Sequence, residues 1–156
     1  MTKNFGKNEE RTSEYLKKFN REKVLKLLVD SNSPTILDVG ANNGSSLVEF
    51  KKWWPNSKVH CFEPQSECWD ELDDLSNEFT NVHINKFALG NKNDESKEFY
   101  SHDLNTGISG FNKINIESKD SIDLSKLSND SKSLENHKKT INHKRNVQVK
   151  RLDEYI

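Results

Sequence analysis

The sequence predicts an α/β protein, a parallel sheet with flanking helices, and three observations carry that expectation. Short apolar runs alternate with amphipathic stretches between Tyr15 and Tyr100. The run Thr35–Ala41, TILDVGA, lacks strict polar–apolar alternation, as a strand buried on both faces does. Clusters of Ser, Asn, Gly and Pro punctuate each run. Strand–helix–strand successions of this kind close through right-handed crossovers into one parallel sheet.

The elements follow in order. Tyr15, Leu16, Phe19, Val24, Leu27 and Leu28 recur at helical spacing, predicting one amphipathic helix over residues 10–30 behind a flexible segment 1–9. Ser31, Asn32, Ser33 and Pro34 break the chain before the first strand. Gly44 opens a turn into a helix over Leu47–Trp54, which Pro55, Asn56 and Ser57 end. KVHCFE, Lys58–Glu63, is the second strand, closed by Pro64. Cys68, Trp69, Leu72, Leu75 and Phe79 make the stripe of the next helix, with Glu67, Asp70 and Glu71 at its start, where the helix dipole favours acids. VHINKFAL, Val82–Leu89, reads as one third strand; Glu98–His102 and Val147–Leu152 read as further strands. Residues 35–111 are thus the βαβ core, 112–146 a polar, poorly ordered insertion with local helical tendency at Ile114, Ile116, Ile122, Leu124, Leu127 and Leu134, and 147–156 a terminal strand, all in a single domain.

Composition sets limits. The chain has 156 residues, 31% hydrophobic and 31% charged, with 24 basic against 25 acidic side chains and a net charge of −1. No global basic field exists to attract nucleic acid. No run approaches the roughly 18–20 apolar residues of a membrane span, and the N-terminal residues lack a secretory apolar core. Cys61 and Cys68 are too few for a disulfide framework and match no common zinc spacing. The expectation is a cytoplasmic protein without a metal.

The sharpest signal is Asp38-Val39-Gly40-Ala41-Asn42-Asn43-Gly44, between a strand and a helix. Small residues there let a ligand approach the backbone, and the helix beyond aims free N–H groups into the crevice at the carboxyl ends of the strands. Glu63 ends the second strand about twenty residues further on, where an acid accepts hydrogen bonds from the ribose hydroxyls of an adenosine cofactor. The dinucleotide fingerprint needs a middle glycine that is missing between Gly40 and Gly44. An acid at Asp38 suits an ammonium group better than two phosphates. These features favour S-adenosylmethionine over NAD.

ILDVGANNG, VHCFEPQSECWDEL, VHINKFALGN and VQVKRLDEYI together resemble the FkbM-type family of S-adenosylmethionine-dependent methyltransferases, from about Thr35 to Ile156 with the polar insertion between. The resemblance implies a Rossmann-like class I methyltransferase fold and O-methylation of a sugar, a polysaccharide precursor or a small metabolite. It places Asp38, Gly40, Asn42 and Gly44 around the methionine part of the cofactor and Glu63 on its ribose. It sets Ala88 and Leu89 near the adenine, with Pro64 and Gln65 lining the same pocket. In the family the chain continues into further strands past this last motif, so a truncated chain is expected, with an open sheet edge through which copies could associate. Two alternatives stand beside this reading: a non-catalytic binding module, and an NAD-dependent oxidoreductase.

Other candidates carry less. His102, near Gly107-Ile108-Ser109-Gly110, is a candidate general base in an exposed loop. His60 and His83 lie in strands, packed or paired. Trp53, Trp54 and Trp69 read as helix packing and Cys61 as a small core residue. His137, Lys138 and Lys139 with His143, Lys144 and Arg145 form a local basic patch offset by nearby acids.

Overall fold

The computed structural model describes residues 8–103, 106–115 and 139–156. Two helices lead: α1, Asn8–Lys18, and α2, Arg21–Leu28. A single helix over residues 10–30 was expected, beginning after residue 9. The chain instead starts its helix at Asn8 and breaks at Phe19–Asn20, because Asn20 is extended (φ −96°) and caps α2, its Oδ1 accepting from the Lys23 N–H at 2.9 Å. The apolar stripe of α2 is not covered: Leu27 and Leu28 are 85% and 76% exposed.

Then come β1 (Thr35–Val39), α3 (Ser45–Trp53), β2 (Lys58–Phe62), α4 (Trp69–Glu78) and β3 (Val82–Asn85). The three strands form a parallel sheet in the order β1-β2-β3, so the α/β expectation holds. Ile36 of β1, Val59 and Cys61 of β2 and Val82 and Ile84 of β3 join Leu47 of α3 and Leu72 and Leu75 of α4 in one core. Buried Lys51 locks this layer from below. Its Nζ donates to the carbonyls of Ser57 (2.5 Å) and Thr80 (2.6 Å), in the turns that lead into β2 and β3. Burial holds its pKa below the usual lysine value.

The opposite face carries Leu37, His60 and His83 in one row and Val39, Phe62 and Asn85 in the next. Tyr155 returns over this face, edge-on to Phe62 and Phe87, and its hydroxyl meets His60 Nδ1 at 2.7 Å, while the His60 and His83 rings stack at 4.7 Å. Toward β1 the cover ends. β1 is an edge strand, and Val39 is 61% exposed, so its lack of alternation does not reflect burial on both faces.

The expected third strand divides in two. After Asn85 the chain leaves the first sheet, and β4 (Ala88–Gly90) pairs in parallel with β6 (His143–Arg151), which also pairs antiparallel with β5 (Asp94–Ser101). A second three-stranded sheet in the order β4-β6-β5 results, with Ala88, Phe99, Val147 and Val149 as its core. The terminal strand starts earlier than residue 147 and ends at Arg151, followed by a tight turn over Leu152–Glu154. Ile116 and the insertion's other apolar positions up to Leu134 lie outside the described residues, whereas its two ends are in view. Asn142, in the left-handed region (φ 59°), accepts from the Ile114 N–H at 2.7 Å and donates to the Ile114 carbonyl at 3.0 Å. Among the described residues no helix is long and apolar enough to cross a membrane.

Candidate functional site

The loop after β1 is shaped by its own backbone. Gly40 and Gly44 both take φ +80° and Asn42 takes φ 49°. The N–H groups of Gly40 and Ala41 both donate to the Phe62 carbonyl, at 2.9 and 3.1 Å, drawing the loop over the end of β2. Beside it opens a cleft of about 260 Å³. That is close to the lower end of the ~300–1,000 Å³ typical of ligand pockets, enough for one part of a nucleoside-sized ligand. Gly40, Asn42, Glu63, Pro64, Ala88 and Leu89 line it, six positions the sequence singles out, brought together from both sheets.

Asp38 and Gly44 do not line the cleft. The Gly44 position instead faces α4: a Cβ there would press on Leu75 Cδ1 and stand 3.2 Å from Leu72 Cδ2, so glycine leaves room for these two side chains. At Gly40 a Cβ would meet nothing within 4 Å, which leaves the loop open to close approach. Asp38 Oδ2 is shut from solvent without a donor, and burial, reinforced by the Glu63 charge and opposed by Arg21, lifts its carboxyl above the usual aspartate range.

Glu63 is the centre of the site. It is 2% exposed, and its Oε2 accepts the Asn42 N–H at 2.8 Å, while Oε1 accepts the Gln65 N–H at 2.9 Å and Gln65 Nε2 at 3.2 Å. Its carbonyl takes the Trp69 indole N–H at 2.9 Å. The carboxylate thus fixes the tip of the β1 loop to the end of β2. Thr106 closes the roof: its hydroxyl donates to Asn42 Oδ1 at 2.9 Å, and its carbonyl accepts from Gln65 Nε2 at 3.1 Å. Ser109, Gly110, Phe99 and Phe111 also line the cleft, so polar groups and aromatic and aliphatic side chains share its wall. Such a cleft can bind a flat ring and orient hydroxyl or amino groups against the acid.

Neither a family model nor a curated protein matches this chain.

The remaining candidates fall elsewhere. His102 is 3% exposed rather than lying in an open loop; its backbone N–H donates to Ser109 Oγ at 3.1 Å, behind the wall, and it does not line the cleft. Cys61 is fully buried, and burial pushes its thiol up to about 12, the value of a packed, inert side chain. On β6, His143 pairs with Asp103, Lys144 with Glu98 and Arg145 with Glu67, so these residues offer little free positive charge. His137 and Lys138 lie outside the described residues. Among the described residues no cluster of His, Cys, Asp and Glu could hold a metal. Thr106, Ser109, Phe99, Phe111 and Trp69 join the site without a sequence signal of their own, because their roles depend on how the second sheet docks.

Proposed function

We propose that this protein is a cytoplasmic S-adenosylmethionine-dependent methyltransferase of the Rossmann-like class, acting on a hydroxyl of a carbohydrate or another small metabolite. One observation carries the reading: the β1 loop and the acid at the end of β2, read from the sequence as a cofactor pair, meet across one cleft through the Asn42 N–H to Glu63 Oε2 hydrogen bond. The residues fit an adenosyl ligand. Gly40 leaves space for close approach, Ala88 and Leu89 offer apolar contact, and Glu63 offers an acceptor for hydroxyls. The cofactor would supply an already activated cationic methyl group, so the protein's work is to bind, orient and keep water away. Asp38, set behind the loop, would act on the ligand's ammonium end through its field rather than by contact.

Calorimetric titration tests this reading, with S-adenosylmethionine as ligand and NAD as control. Saturable binding of S-adenosylmethionine alone is expected; binding of NAD alone would replace the reading with the oxidoreductase. A second reading, a non-catalytic module that associates through an open edge, draws on one observation, the exposed Leu37 and Val39 on β1, which has no strand on its outer side among the described residues. It expects a second copy of the chain at that edge, dimers in size-exclusion chromatography with light scattering, and their loss in Val39→Lys.

A further inference from the structure

Past the end of β2 lies an acceptor that has no donor among the described residues. Gln65 is 4% exposed, and the direction of its amide is fixed by its neighbours. Nε2 faces Glu63 Oε1 at 3.2 Å and the Thr106 carbonyl at 3.1 Å, both of which can only accept, so the nitrogen and not the oxygen must point to them. Its Oε1 is left buried without a donor. An unmet buried acceptor is costly, and native proteins keep few of them. Beside it, Glu63 receives three N–H groups on two oxygens that together offer about four acceptor positions, so one place remains.

Two adjacent acceptors in the wall of one cleft match two adjacent hydroxyl donors. The geometry points to Gln65 as a specificity-determining residue that reads one hydroxyl of a ribose diol while Glu63 reads the other. This inference rests on the adenosyl-ligand reading above. It adds a residue to it, and with that residue a means of discriminating ribose from deoxyribose. Thr106 fixes the amide from its other side: its carbonyl holds Gln65 Nε2 and its hydroxyl binds Asn42 Oδ1, so Oε1 keeps its direction. A ligand lacking that hydroxyl leaves the acceptor unmet and should bind more weakly. Replacing the amide by a thioether side chain of similar length removes the acceptor and with it the discrimination.

The test is a pair of affinity ratios by calorimetry at fixed pH. S-Adenosylhomocysteine and its 2′-deoxy and 3′-deoxy analogues are titrated into the intact chain and into Gln65→Met. The intact chain is expected to prefer the ribose form over one of the deoxy forms by about tenfold, and Gln65→Met to reduce that preference to about twofold or less. An unchanged ratio in Gln65→Met, with the intact chain binding normally, overturns the inference alone. No binding of S-adenosylhomocysteine to the intact chain overturns the cofactor reading and this inference with it. Should Gln65→Met fail to fold, Gln65→Asn draws the amide back by one methylene and carries the same comparison.

Discussion

Gly40 and Gly44 belong to one short loop and share φ +80°, yet the structure gives them different tasks, and alanine at each position separates the two. A side chain in the left-handed region costs about 1–2 kcal/mol at either site. At Gly40 that is the whole expected loss, since the new methyl meets nothing within 4 Å. At Gly44 the methyl would press on Leu75 Cδ1 and stand 3.2 Å from Leu72 Cδ2. Overpacking costs typically 1–3 kcal/mol, and the low end, about 1 kcal/mol, applies because both contacts are with the ends of leucine side chains and Leu75 is only half-buried. Gly44→Ala should therefore lose about 2–3 kcal/mol and Gly40→Ala about 1–2 kcal/mol. In equilibrium urea unfolding, with a slope of about 2 kcal/mol per molar, the Gly44→Ala midpoint should fall roughly 0.5 M below that of Gly40→Ala. Equal midpoints, or a greater loss at Gly40, would refute the division of labour.

Three further outcomes follow from the same contacts. Glu63→Ala should weaken S-adenosylmethionine binding in calorimetry by tenfold or more and lower the thermal midpoint as well, since it strands the buried Gln65 N–H at about 1–3 kcal/mol and the half-buried Asn42 N–H at less. Asp38 has a raised carboxyl pKa, so the folded state holds its proton more tightly and stability falls as pH rises from about 3.8 through the raised value. Asp38→Asn should be more stable than the intact chain at pH 7, with the gap closing toward pH 4 in urea titrations. It should also bind the cationic cofactor less well. His60 is shifted the other way, held below 6.5 by burial, by His83 and by Lys58, so its contribution is present above pH 6.5 and is lost as pH falls below that value. His60→Phe should show a flatter melting temperature between pH 7 and pH 5 than the intact chain.

Much of the first sheet and its helices is legible because its signals are local. DVGANNG forces a tight turn, FEP ends a strand, and the helical stripes through Leu47 and Leu72 face the sheet as their spacing requires. The errors lie where tertiary structure decides. VHINKFAL looks continuous, but the chain changes sheets between Asn85 and Ala88, and only the pairing of Ala88 with Val149 shows it. Leu27 and Leu28 have the spacing of buried residues and are exposed, since periodicity states which face is apolar and not what covers it. Gly44 has a second reason that its loop does not show: Leu75, thirty-one residues away, takes the room a side chain there would fill. Gln65 and Thr106 meet across forty-one residues, and no spacing rule reaches that far.

The paired hydrogen bonds between Asn142 and Ile114 have a practical consequence. They bring Ile114 and Asn142, far apart in the sequence, to one point, a neck from which β6 sets out. Loop-closure entropy grows only with the logarithm of length, about 0.6 kcal/mol per doubling. The pair therefore holds Asn142 beside Ile114 at nearly the same entropic cost for a shorter or a longer connection. This makes the neck a natural port for a graft: a fluorescent reporter or an affinity handle placed there would remain attached to the frame that holds Ala88 and Phe99 against the cleft.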